Sequence, residues 1–280
     1  MGKKSSLLIA IATIALLMAF PATAEHAWSD YHWERAGNPI TINHGDNVDP
    51  VKWGDRLIEA LTDWNSSSVL DTPKVSGNTS PKACRPTSGM VEVCSADYGN
   101  TGWLGVAQIW VSGSHITQGT AKVNDYYHDR EPYNSYSWKQ LVLCQEVGHT
   151  YGLGHQNEDF NTDVTTSCME YTSEPAGNES PDNHDYDMLE TIYAHLDGDG
   201  GGGDGGGGGD CWPPGKCKNG AAPPAFSMPL PTAETWGEHV RTSPNGGQSL
   251  FVQDFGGGYK VFTHVTWTLE VAAELAGHDH

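Results

Sequence analysis

The sequence predicts a mixed α+β fold, and three observations predict it. Apolar residues recur at helical spacing in three separated stretches, β-rich segments cluster between the first two of these, and a second group of short β-rich segments closes the chain. Before that second group the composition breaks at Asp197 to Asp210, DGDGGGGDGGGGGD. Glycine at that density cannot bury a core and reads as a flexible linker. The expected organisation is a signal peptide at 1–24, a body at 25–196, a Gly/Asp-rich linker at 197–217 and a small β-rich C-terminal module at 218–280.

Each element has its own warrant. Lys3 and Lys4 precede an apolar run from Leu7 to Phe20, and Ala22, Thr23 and Ala24 supply the small residues of a cleavage site. That run is short for a membrane span, so a secreted protein, free of the membrane once the signal is removed, is expected. In the body, Asp49 can cap a helix that Pro50 opens, with Trp53, Leu57, Ala60, Leu61 and Trp64 on one face. Met90 to Cys94, Trp103 to Val111 and Ile116 to Asn124 are rich in β-branched and aromatic residues and separated by Gly, Ser and Asn, so they read as strands. A second helix is expected from Ser137, whose hydroxyl can cap while Gln140 reaches back, to about Tyr151, with Gly152 as its stop. A third starts after Pro181 and sets Tyr186, Leu189, Tyr193 and Leu196 on one stripe. In the tail, HVRT, QSLFVQDF and GYKVFTHVTWTLEV read as strands, with turns at Asn245, Gly246 and Gly247 and at Gly256 to Gly258.

A formal net charge of -20 argues against nucleic acid or an anionic membrane as partner. The six cysteines fall into local couples, Cys84 with Cys94, Cys144 with Cys168 and Cys211 with Cys217, and this is the expected disulfide pairing in an oxidising compartment. The absence of any C-x-x-C pair argues against zinc held by cysteines. Asp197, Asp199 and Asp204 are hard oxygen donors that could take Ca2+, although their spacing is not that of an EF-hand loop.

The chemistry concentrates in CQEVGHTYGLGHQ, Cys144 to Gln156. Residues four apart on a helix share a face, so Gln145 and His149 point the same way with Glu146 beside them. Gly152 then lets the chain turn, and His155 can come back to the same point. Two imidazoles and a neighbouring carboxylate can hold a zinc ion and move the proton of an attacking water.

The stretch EVGHTYGLGH, Glu146 to His155, resembles the metzincin metallopeptidase signature at every position after its first, where Gln145 stands in place of a ligating histidine. Ser167-Cys168-Met169-Glu170-Tyr171 resembles that family's Met-turn, and DYDMLETIY, Asp185 to Tyr193, is similar to the last helix of matrixin-type members. The resemblance covers roughly residues 25–196. It implies a twisted mixed sheet with an N-terminal helix, an active-site helix and a C-terminal helix. It implies a monomeric zinc endopeptidase acting on extracellular proteins or peptides, with Zn2+ on His149 and His155. Gln145 would be a weak or outer ligand, Glu146 the general base, and Met169 the residue beneath the metal. Tyr171 would help complete the site, as a tyrosine does in astacins and serralysins. Substrate would lie along a sheet edge, for which Ile116 to Asn124 is the expected strand. His115, His128 and His184 are spare imidazoles. A non-catalytic extracellular binding protein with a decayed metal site stays open beside the enzyme.

Overall fold

The computed structural model describes residues 30–155, 166–170, 172–197 and 235–277. The expected signal segment, most of the linker, Tyr171 and the Cys211 and Cys217 couple lie outside them. In chain order the elements are β1 (His32–Trp33), β2 (Ile40–Thr41), β3 (Asn43–Asn47), α1 (Pro50–Trp53), α2 (Arg56–Trp64), β4 (Leu70–Asp71), β5 (Lys74–Ser76), β6 (Met90–Ala96), β7 (Trp103–Ser112), β8 (His115–Asn124), α3 (Asp125–His128), α4 (Tyr136–His149), α5 (Asn183–Ile192), β9 (Glu238–Thr242), β10 (Gln248–Gly256), β11 (Tyr259–Trp267) and α6 (Leu269–Ala276). The fold is mixed α+β, built on one large sheet. Among the described residues no helix is long and apolar enough to cross a membrane.

The large sheet runs β5-β3-β6-β8-β7-β11-β10-β9, with β1 beside the start of β8. β5, β3, β6 and β8 are parallel; from β7 onward every neighbour is antiparallel. The change of direction comes from a tight hairpin: Ser112 pairs with His115 across Gly113, which has φ 62°. One consequence corrects the sequence reading. Ile116 to Asn124 is an interior strand, since β8 has β6 on one side and β7 on the other. The free edge of the body strands is β7, and β11 pairs along it from Tyr259 with Ser112 to Trp267 with Trp103. The tail strands therefore continue the sheet of the body. The last of them stops at Trp267, and the LEV expected in a strand opens α6, which Thr268 caps.

Helices pack beneath this sheet through a core in which Trp53, Trp64, Tyr151 and Tyr193 are fully buried. Burying one such large side chain stabilises the fold by about 1.5–3 kcal/mol. Asp49 caps α1 as expected, but Gly54, at φ 55°, divides the predicted first helix into α1 and α2. Leu57, Ala60, Leu61 and Trp64 form the buried face of α2, and the Trp64 indole donates to the Cys144 carbonyl at 3.2 Å. The α4 cap is Ser135, bonded to the Trp138 amide, and not Ser137, whose hydroxyl donates to Glu179. Every residue of α4 from Trp138 to His149 is buried, so beyond its first turn this helix has no solvent face. Asp182 and Asp185 form a reciprocal capping box at the start of α5. Leu189 and Tyr193 are buried there, whereas Leu196 is exposed and leaves the expected stripe. Disulfides join Cys84 to Cys94 and Cys144 to Cys168.

Candidate metal centre

Two glycines shape the end of α4. A Cβ on Gly148 would stand 2.5 Å from Met169 Sδ and 2.5 Å from the Trp64 ring, so only glycine lets Met169 sit directly against the helix. Met169 is fully buried there, on a loop held by Cys168 and by the Ser167 hydroxyl, which donates to Asp185. Gly152, at φ 94°, turns the chain where a Cβ would meet the Tyr31 carbonyl at 2.2 Å. The turn returns His155 to the helix end, and its Nε2 lies 3.0 Å from Nε2 of His149.

A third imidazole arrives from the tail. His264 of β11 stacks on His149 with centroids 4.0 Å apart and planes 17° apart, and lies 5.3 Å from the His155 ring. One ligand nitrogen from each of His149, His155 and His264 falls within 4.8 Å of the others, and all three residues are buried. Nδ1 of His149 donates to the Leu153 carbonyl at 2.9 Å, which fixes the tautomer and leaves Nε2 with its lone pair toward His155. Burial, with Arg241 adding to it, pushes His149 down to about 4; burial also holds His264 well below the usual imidazole range, with His149, His155 and Arg241 adding to it. His149 and His264 are thus neutral imidazoles, a donor type that suits zinc or a similar transition metal.

Glu146 lies beside this cluster on the β7 side. A Cβ on Gly105 would meet its carboxylate at 2.4 Å, so the bare backbone of β7 makes the room. Burial pushes Glu146 up to about 8, offset in part by the Thr266 hydroxyl and the Ala107 amide. Thr266 Oγ stands 2.6 Å from Glu146 Oε1 and 3.0 Å from Gln145 Oε1, with one proton to share between them. The other end of Gln145 donates to the Glu170 carbonyl at 3.1 Å. Gln145 therefore braces β11 and the Met169 loop from both ends of its amide.

The described residues thus bring together Glu146, His149, His155, Met169 and Gln145 of the sequence candidates. Tyr171 falls outside them. The spare histidines stand elsewhere: His128 against Trp53, His115 beside Asp197, His184 exposed at the start of α5. Asp197, offered as a calcium ligand, faces histidines, while Asp199 and Asp204 are outside the described residues. His264 was not among the candidates. Its signal is the vacancy left by Gln145 together with a single imidazole embedded in the β-branched run VFTHVTW. Neither family models nor curated proteins match the chain.

Proposed function

We propose that the chain is a secreted zinc-dependent endopeptidase whose C-terminal strand supplies the third metal ligand. The observation that carries this reading is the convergence of His149, His155 and His264 beside a buried glutamate. The resemblance of residues 146–155 to the metzincin signature supports it, with His264 in the role that Gln145 gives up. When bound, zinc in a three-histidine site lowers the pKa of a water to about 7 and polarises a carbonyl.

In its ionised form, which a cation held beside it would favour against the effect of burial, Glu146 takes the proton of the attacking water and returns it to the departing amine. Thr266 orients its carboxylate, and Gly105 gives it space against β7. Access is the second part of the reading. Glu146, His149, His155 and His264 are all buried, and β11 occupies the flank of β7 where an extended peptide would pair. For cleavage, substrate would have to displace β11 from β7.

The same covering strand favours a second reading, a non-catalytic extracellular protein in which the metal pins the tail to the body. One experiment separates them. The mature chain loaded with zinc is given an unfolded labelled protein, with and without chelator, beside Glu146→Gln. The proposal expects chelator-sensitive cleavage that falls by roughly 10²–10⁴-fold in the variant while zinc content stays constant. Zinc-loaded protein that cleaves nothing establishes the second reading, and full activity in Glu146→Gln removes the mechanism.

A further inference from the structure

Where β1 pairs with the start of β8, a second set of donors converges around Asp197. Nε2 of His32, of His115 and of His195 each lies 3.3 Å from the same oxygen, Oδ1 of Asp197. The rings of His115 and His195 stand edge-on to His32, at 5.0 Å and 88° and at 4.6 Å and 84°. We infer that His32, His195 and Asp197 form a second metal centre for a zinc-like divalent ion, with His115 beside the carboxylate, one that ties the ends of the body together.

Hydrogen bonding alone accounts poorly for the arrangement. A carboxylate oxygen has two lone pairs, and three N–H donors on one oxygen would crowd it, at distances longer than the 2.7–2.9 Å of a charge-assisted bond. Tetrahedral coordination accounts for it directly. A tetrahedron's edge is about 1.6 times its centre-to-vertex length, so bonds of about 2.0–2.1 Å put neighbouring donor atoms about 3.3 Å apart. The His32 and His195 separations from the carboxylate oxygen have that value, and the three donor atoms lie within 4.8 Å of one another.

The surroundings are those of a fixed ligand set. Nδ1 of His32 is 2.6 Å from the Asp30 carbonyl, so it carries the proton and Nε2 keeps its lone pair for the centre. Oδ2 of Asp197 accepts the Arg35 amide at 2.9 Å, while the Asp197 amide donates to the Arg35 carbonyl at 2.8 Å. The Arg35 guanidinium holds the His195 carbonyl through two bonds. His32 comes from β1, His115 opens β8, and His195 and Asp197 follow α5. A metal there would clamp the start of the body to its end, beside the strand hairpin that presents β7. This site shares no residue with the first centre and does not depend on its activity.

The test uses the full mature chain. His115 and His195 have side chains 35% and 57% exposed, so His115→Ala/His195→Ala leaves the core intact. After dialysis against metal-free buffer, zinc per chain is measured in the parent and in this variant. The inference expects the variant to lose one equivalent, from about two to about one if the first centre is loaded, or from about one to none if it is not. It also expects added zinc to raise the thermal midpoint of His149→Ala/His155→Ala and not of the variant lacking all four histidines. Unchanged zinc content in His115→Ala/His195→Ala overturns the second centre, and loss of the equivalent held by His149 and His155 bears only on the first.

Discussion

Glu146 and Gln145 are neighbours on α4 with different partners: the carboxylate is held over Gly105 by Thr266, and the amide spans Thr266 and the Glu170 carbonyl. Removing the amide takes one hydrogen bond from each of two buried partners, which costs about 1–3 kcal/mol. We expect Gln145→Leu to lower the unfolding free energy, read by urea titration, by that amount; an unchanged value would mean that the brace contributes nothing. At this scale the residues legible in the sequence are those that one helix and one turn bring together. Gln145, Glu146 and His149 share a helix end, and Gly152 marks the turn that returns His155. His264 was not legible, because strand pairing between β11 and β7 brings it in and nothing local in VFTHVTW says which strand it will meet.

The element scale turns on how α4 and the Met169 loop hold each other. Cys144 and Cys168 close a loop of sequence separation 24 between them, a cross-link worth about 3 kcal/mol in the chain-entropy model. Replacing both with alanine should lower stability by that order and weaken zinc binding, read by urea titration and chelator competition; intact stability would contradict it. Gly148→Ala places a methyl on Met169 and Trp64 in a packed interior, and overpacking of this kind costs about 1–3 kcal/mol. A shift of the thermal midpoint upward in that variant would refute the close approach. Element types were readable from periodicity, but details decided by distant partners were not. Ser137 is as good a cap by type as Ser135, yet Glu179 engages its hydroxyl. Ile116 to Asn124 was expected at an edge from the family resemblance, and pleat alternation does not reveal how many neighbours a strand has.

For the molecule as a whole, two buried histidines away from either proposed metal centre set an acid limit. Burial pushes His44 down to about 3 and His128 down to about 4, so both are neutral in the fold. Unfolded, each takes up a proton below about pH 6.5. Their contribution is therefore complete above that pH and is lost as pH falls toward 4 and then 3. The loss is about 1.4 kcal/mol per pH unit for each histidine. The urea midpoint of chelator-treated protein should fall steadily from pH 6.5 to 4.5, and less steeply in His128→Gln; a flat profile would contradict neutral burial. At the same scale, the tail looked in sequence like an appendage behind a linker, and only the pairing of β11 with β7 makes it part of the sheet and of the metal cluster. The most direct measurement is zinc affinity by chelator competition, in the His115→Ala/His195→Ala background so that one centre is read. His264→Ala should weaken binding by roughly a hundredfold or more, the scale of losing support at a metal site, and Gln145→Ala by only a few-fold. If instead Gln145→Ala abolishes binding and His264→Ala leaves it intact, the tail is not a ligand and the centre is built from α4 and its turn alone.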